Sequence, residues 1–155
     1  MKLDIGSGDV RFSGWTSVDR YGSPDILADA WQVPLPPGSV SEIRSSHALE
    51  HLSFEDAPKA LAEWLRLLES GGRLHLVVPS MDFVAAVWLH GGDRDYARQI
   101  VFGNQQHEGE FHRNGWRPQD LKADVEAAGF VEVTAEVRFT PEYSQESIVV
   151  RAFRP

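Results

Sequence analysis

The chain opens with a short apolar segment that ends in a glycine turn. Residues 2–5 are predicted to form a strand and Gly6-Ser7-Gly8 a turn, and a second apolar segment then ends at Asp19. A turn without side chains lets the backbone approach a ligand closely, and a carboxylate after the next strand can accept hydrogen bonds from ribose hydroxyls. This opening therefore predicts an α/β fold built around a nucleoside-containing cofactor.

Short apolar runs alternate with helical patterns along the rest of the chain, which is typical of an α/β fold with a mainly parallel sheet. The expected parallel strands are residues 2–5, 16–19, 26–28, 42–46 and 73–79. Two β-patterned runs, 131–139 and 147–153, flank a turned segment around Pro141 and predict a terminal antiparallel hairpin. We therefore expect a single domain over residues 1–155, with a Rossmann-like, doubly wound, mostly parallel sheet of seven strands.

Two helices are predicted from apolar spacing and from their end signals. The first has apolar residues at helical intervals, at Leu61, Trp64, Leu65 and Leu68. Gly71-Gly72 is expected to end this helix, because a helix commonly closes on a left-handed residue. The second is expected to begin at Pro118 and to end at Gly129.

Composition restricts the partners and the compartment. No apolar run is long enough to suggest a membrane span, and we expect no signal peptide, because the first strand is predicted to begin at residue 2. The absence of cysteine fits the cytoplasm, where disulfides are rare. A formal net charge of −8 argues against nucleic acid, which needs a concentrated basic surface. The expected partner is a small molecule.

Four segments in order carry a resemblance to a known family. They are Gly6-Ser7-Gly8, the stretch from Asp29 to Leu35-Pro36, Ser45-Ser46-His47-Ala48-Leu49-Glu50-His51-Leu52, and Leu67-Leu68-Glu69-Ser70-Gly71-Gly72-Arg73-Leu74. Together they resemble class I S-adenosylmethionine-dependent methyltransferases, specifically the small type-11-like domains, over nearly the whole chain. The resemblance implies S-adenosylmethionine as the cofactor.

The resemblance also implies which residues hold that cofactor. They are Asp4, Gly6, Gly8, Asp19, Asp29, Ala30 and His47. The glycines would accommodate the methionyl end, and Asp4 would orient their turn or meet the cofactor's ammonium group. Asp19 would bind the ribose, while Asp29 and the Ala30 backbone would face the adenine amino group. The alternative for Asp29 is an ordinary turn aspartate.

The connection between the first two strands favours the same cofactor. It has only about ten residues, fewer than a full crossover helix needs, so this helix is expected to be shortened or missing. A dinucleotide needs its pyrophosphate at a helix N-terminus, and its ribose acid stands near twenty rather than about eleven residues after the glycines. S-adenosylmethionine has no phosphate and tolerates a loop there. The missing helix also leaves one sheet face thinly covered, and we expect either a partner subunit, in a homodimer, or the substrate-side helices to cover it.

The segment His47-Ala48-Leu49-Glu50-His51 matches the H-x-x-E-H pattern of inverted zinc peptidases. A long metallopeptidase helix does not fit directly after a strand and a serine pair. Glu110 or His112 could be proposed as a third ligand, but neither is convincing from the sequence. We therefore expect no metal.

The family's reaction is an in-line displacement at the sulfonium methyl, and an oxygen or nitrogen acceptor can need a base. The candidate bases are His47, His107 and His112, with His51 as a further candidate. The polar loop 104–116 is expected to bind the acceptor, within a lid and acceptor region at 80–116. We expect a methyltransferase acting on an O or N atom of a small, polar acceptor. The alternative is a non-catalytic binding or regulatory subunit that retains the fold.

Overall fold

A computed structural model describes residues 1–140 and 145–155. Within them one seven-stranded sheet has the order β3-β2-β1-β4-β5-β7-β6. The strands are β1 Lys2–Ile5, β2 Thr16–Asp19, β3 Ile26–Leu27, β4 Val40–Ser46, β5 Leu68–Pro79, β6 Val131–Thr140 and β7 Gln145–Phe153. The first five are parallel, and β7 lies antiparallel between β5 and β6. The predicted doubly wound sheet and terminal hairpin are confirmed, while the turn around Pro141 lies outside the described residues.

The helices lie mostly where the apolar spacing places them. They are α1 Asp56–Leu67, α2 Met81–Leu89, α3 Arg94–Phe102 and α4 Pro118–Ala127. As predicted, α4 begins with Pro118 and is followed by Gly129 at φ 105°. None of the helices in the described ranges is both long and apolar enough to cross a bilayer.

The expected end of α1 at Gly71-Gly72 is wrong. The helix ends at Leu67, and Leu68 already has extended dihedral angles, φ −64° and ψ 143°. The fully buried Leu68 pairs with Val40 in the sheet, so tertiary pairing prevails over helical spacing. The register of β4 and β5 then shifts, and Gly71 (φ 75°) lies in the extra residues of β5.

The two faces of the sheet are unequally covered. Leu3, Ile43 and Leu74 stand on one face and are buried in the main core, to which α1 and α4 contribute. On the other face, residues adjacent in register form a polar row of Asp4, Arg44, His75 and Arg151. The link between β1 and β2 contains no helix in the described structure, which confirms that prediction. Its Phe12 ring lies over Arg44 instead, 4.5 Å from the guanidinium carbon.

A second, smaller apolar cluster holds α2 and α3 together. Its buried members are Val84, Ala97 and Ile100, and it is separate from the main core. Both helices lie within the region 80–116, and they form a pair with an apolar core of its own.

Candidate functional site

A cleft of about 1190 Å³ opens at the carboxyl ends of the parallel strands. The loops after β1 to β4 form one side, while α3 and the following loop, to Arg113, form the other. Open α/β sheets bind ligands at this edge. The predicted site residues that line it are Gly6, Gly8, Asp19, Asp29, Ala30, His47, His107 and His112.

The two glycines of the first turn have different surroundings. Gly6 (φ 75°) donates its N–H to Val18 O at 2.8 Å, and a Cβ here would overlap the Ala48 Cβ. Gly8 (φ 52°) faces open space, with no described atom within 4 Å of an added Cβ. Gly6 therefore allows two protein segments to meet, whereas Gly8 leaves room in the cleft.

Asp19 lies beside this turn, at the end of β2. Its Oδ2 accepts a 2.8 Å hydrogen bond from Gly8 N, and its Oδ1 accepts one of 2.9 Å from Tyr21 N. Each carboxylate oxygen has a further lone pair. Asp19 is thus positioned by the backbone and can still accept hydrogen bonds from a ligand.

Asp29 and Ala30 form the next part of the wall, after β3. Asp29 Oδ1 lies 3.3 Å from Arg20 Nη1. The Ala30 carbonyl accepts a 2.9 Å hydrogen bond from the Nε1–H of Trp64, a fully buried residue of α1. The position of this loop therefore depends on α1.

Asp4 is not brought together with these residues and does not line the cleft. It lies on the polar sheet face, where its Oδ1 accepts a 2.8 Å hydrogen bond from Arg44 Nη1. Burial raises the pKa of the Asp4 carboxyl, and the Arg44 guanidinium only partly offsets this effect.

The H-x-x-E-H segment does not form a regular helix. His47 has φ 53°, and only Leu49–His51 is helical, as a short 3₁₀ turn. His47 Nδ1 lies 3.1 Å from Glu50 Oε1, and its Nε2 lies 3.3 Å from Ser147 Oγ. The paired imidazoles of a peptidase helix are therefore not formed by His47 and His51.

Glu50 is the most buried acid of the site, with 1% of its surface exposed. Burial alone would raise the pKa of this carboxyl, but the adjacent His47, with smaller contributions from His51 and His112, lowers it overall. The Glu50 carbonyl accepts hydrogen bonds from Arg113 N at 2.8 Å and Asn114 N at 3.1 Å. These bonds hold the polar loop against the segment after β4.

His112 lies beside this group, on the docked loop. Its Nδ1 is 2.6 Å from Ile100 O, and its ring meets that of His51 edge-on, with centroids 4.7 Å apart. Burial lowers the pKa of the His112 imidazole, so the neutral form is favoured at pH 7.

His107 stands apart, at the outer rim of the cleft. Its Nδ1 accepts a 3.1 Å hydrogen bond from Gly109 N, and its ring lies 5.4 Å from that of Tyr21. Of the three predicted bases, His47 and His112 therefore lie beside Glu50, whereas His107 lies away from them at the rim.

Sequence reasoning left Glu50 and Tyr21 out of the site and named His51 only as a further candidate base. Glu50 did carry a signal, because a carboxylate between Leu49 and Leu52 in an apolar segment needs a specific partner. The contact of Tyr21 with His107 depends on how two loops fold, and no feature of the sequence indicates it.

Comparison with known proteins agrees with this architecture. A family model described as a methyltransferase domain matches residues 3–76. An uncharacterised methyltransferase of Geobacillus thermodenitrificans is 32% identical over 60 residues. That match spans 37% of this chain and 28% of the relative.

Solved structures share the fold over almost the whole chain. The Burkholderia thailandensis 1,6-didemethyltoxoflavin-N1-methyltransferase, solved with its substrate and S-adenosylhomocysteine, has a TM-score of 0.69 at 15% identity. The similarity covers 99% of this chain and 70% of that one. A Thermotoga maritima methyltransferase described as a possible histamine N-methyltransferase has a TM-score of 0.72 at 16% identity, covering 99% and 82%. The family model covers just under half of the chain, and the solved structures share its fold, so both findings agree with the resemblance to class I S-adenosylmethionine-dependent methyltransferases.

Proposed function

We propose that this chain transfers the methyl group of S-adenosylmethionine to an O or N atom of a small, polar acceptor. The observation that carries the proposal is the contact between Asp19 and Gly8, with Oδ2 and N 2.8 Å apart. It places the acid after β2 beside the open glycine turn after β1, at the strand ends where a nucleoside is expected to bind.

In this proposal each part of the cofactor has a place along the cleft wall. The ribose hydroxyls donate to Asp19, and the methionyl end lies over Gly8, where no described atom occupies the space of a Cβ. The adenine lies against Asp29 and Ala30, with Trp31 nearby in the same wall.

The acceptor is proposed to bind between the segment after β4 and the loop 104–116. His47, His107 and His112 all line the cleft and are the proposed bases. Small-molecule acceptors are favoured by the two solved structures, since the Burkholderia enzyme holds 1,6-didemethyltoxoflavin and the Thermotoga protein is described as a possible histamine N-methyltransferase. The net charge of −8 disfavours nucleic acid. A cytoplasmic location and a homodimer complete the proposal.

A non-catalytic binding or regulatory subunit is the less favoured alternative. Such a subunit would have no need of ionisable groups on the acceptor side, whereas this cleft has histidines on both walls. Detection of a methylated product separates the two, because a binding subunit would bind the cofactor without turnover.

The first test is calorimetric titration of cofactor-free protein with S-adenosylmethionine and S-adenosylhomocysteine. We expect micromolar binding that weakens at least tenfold in Asp19→Asn, because a neutral amide is a poorer acceptor for the ribose hydroxyls. Asp95→Asn, at an exposed position on α3, is the matched control and should bind like the parent. Absence of binding by the parent protein would overturn the proposal.

A further inference from the structure

Glu50, His51 and His112 come together at one side of the cleft. One potential ligand atom from each lies within 4.8 Å of the other two. Two imidazoles and one carboxylate form a donor set that proteins use for divalent transition metals, whereas Mg²⁺ and Ca²⁺ prefer oxygen ligands alone.

The Glu50 carboxylate has fewer partners than its burial requires. It is 1% exposed, and its Oε1 is in contact with His47, whose Nδ1 lies 3.1 Å away. Oε2 has no hydrogen-bond partner among the described residues. A buried charge is costly unless it is paired or coordinates a metal, so this carboxylate is suited to a cation.

Both imidazoles are held in the orientation that metal ligands commonly have. His112 Nδ1 lies 2.6 Å from Ile100 O, and His51 Nδ1 lies 3.2 Å from Phe111 O. A carbonyl can only accept, so each Nδ1 is assigned as protonated and each Nε2 carries a free lone pair. A second group that fixes the tautomer in this way is a regular feature of histidine ligands.

We propose that Glu50, His51 and His112 bind one divalent transition-metal ion, such as Zn²⁺, through a carboxylate oxygen and two Nε2 atoms. This replaces the expectation from sequence that the chain binds no metal. With metal–nitrogen bonds of about 2.0–2.1 Å, tetrahedral ligands lie about 3.3 Å apart, so the three side chains must approach one another slightly on binding. Three protein ligands leave at least one coordination position open.

The open position would face the cleft, since all three residues line it. An ion there could hold an acceptor oxygen or nitrogen, a role that rests on the methyl transfer proposed above. Metal binding itself does not depend on that proposal. In this arrangement His112 is a ligand, which leaves His107 as the proton acceptor of the loop.

The test is calorimetric titration of the chelator-treated full chain with Zn²⁺, followed by the visible absorption of bound Co²⁺. We expect one equivalent of Zn²⁺ at micromolar affinity or tighter, and no comparable binding of Mg²⁺. Glu50→Gln and His112→Gln should each weaken Zn²⁺ binding by at least about tenfold. His90→Gln, after the end of α2 and outside the cleft, is the control and should bind like the parent.

Absence of stoichiometric Zn²⁺ and Co²⁺ binding would overturn the metal site, as would equal affinity in the ligand variants. If Glu50→Gln fails to fold, His51→Gln decides the matter, because this side chain is only partly buried. Titration with S-adenosylmethionine in the same preparation keeps the two proposals distinct. If the protein binds S-adenosylmethionine but not Zn²⁺, only the metal site is refuted. If it binds Zn²⁺ but not S-adenosylmethionine, only the proposed methyl transfer is refuted.

Discussion

Gly6 lies against Ala48 so closely that a Cβ atom at Gly6 would overlap the Ala48 Cβ. This contact joins the glycine turn after β1 to the segment after β4 that carries His47, Glu50 and His51. The proposed cofactor side and the proposed acceptor side of the cleft therefore meet at a glycine, where the two backbone segments pack directly against each other.

Gly6→Ala should destabilise the chain by about 2–5 kcal/mol, the sum of a left-handed φ penalty and an overpacking term. Gly14→Ala is the matched control, because Gly14 has φ 81° and no described atom within 4 Å of an added Cβ. Gly14→Ala should lower the free energy of unfolding only by the left-handed φ penalty, about 1–2 kcal/mol. Urea unfolding measures both, and adding Ala48→Gly to Gly6→Ala should recover the difference. Equal losses in the two single variants would refute the close approach.

Trp64→Phe should destabilise the chain by about 1–3 kcal/mol, because the partly buried Ala30 carbonyl loses its indole donor. The Ala30 loop is then less firmly held, so the dissociation constant of S-adenosylmethionine should rise as well. Trp88→Phe is the control, since Trp88 is half exposed on α2. Thermal unfolding measures the change in stability, and calorimetry measures the change in cofactor affinity. An unchanged cofactor affinity would show that the contact with α1 does not influence cofactor binding at the Ala30 loop.

His75 should make the chain less stable at acid pH. Burial, then the charges of Arg151 and Arg44, hold the pKa of its imidazole below the usual 6.5, and Glu42 only partly opposes them. The unfolded chain therefore binds the proton more readily, so the free energy of unfolding falls as the pH drops below about 6.5 towards the folded-state pKa. His75→Gln should flatten this part of a pH series of urea unfolding curves. An unchanged slope between pH 7 and 5 would contradict this prediction.

The polar sheet face should mediate a homodimer. Phe12 is 42% exposed there, over a face that a loop rather than a helix covers. Sedimentation at micromolar concentration should give twice the chain mass of 17.3 kDa. Phe12→Glu should shift the protein to the monomer, while its carboxylate can still pair with Arg44. Phe54→Glu, at the 77% exposed Phe54, is the control. A monomeric parent would rule the dimer out.

Much of this fold could be predicted because its signals are local. The apolar segments before Gly6 and Asp19 end as the sequence indicates, and Pro118 begins its helix. The end of α1 could not be predicted, since it depends on the pairing of Leu68 with Val40 across the sheet.

The candidate site likewise has one part that the sequence predicts and one part that it does not. The proximity of Asp19 to Gly8 follows from neighbouring parallel strands, so the sequence predicts it. The group of Glu50, His51 and His112 depends on a loop docked by backbone hydrogen bonds to Glu50. No pattern of residues specifies such docking, so the sequence gives no reason to prefer His112 over Glu110 as a third metal ligand.

The helical pair α2 and α3 packs around its own apolar cluster, apart from the main core. Substitutions in α2 and α3 can therefore change the shape of one wall of the cleft without disturbing the main core. If the chain acts as proposed, variation in α2 and α3 can therefore change the acceptor over evolutionary time while the glycine turn and Asp19 keep the proposed cofactor site unchanged.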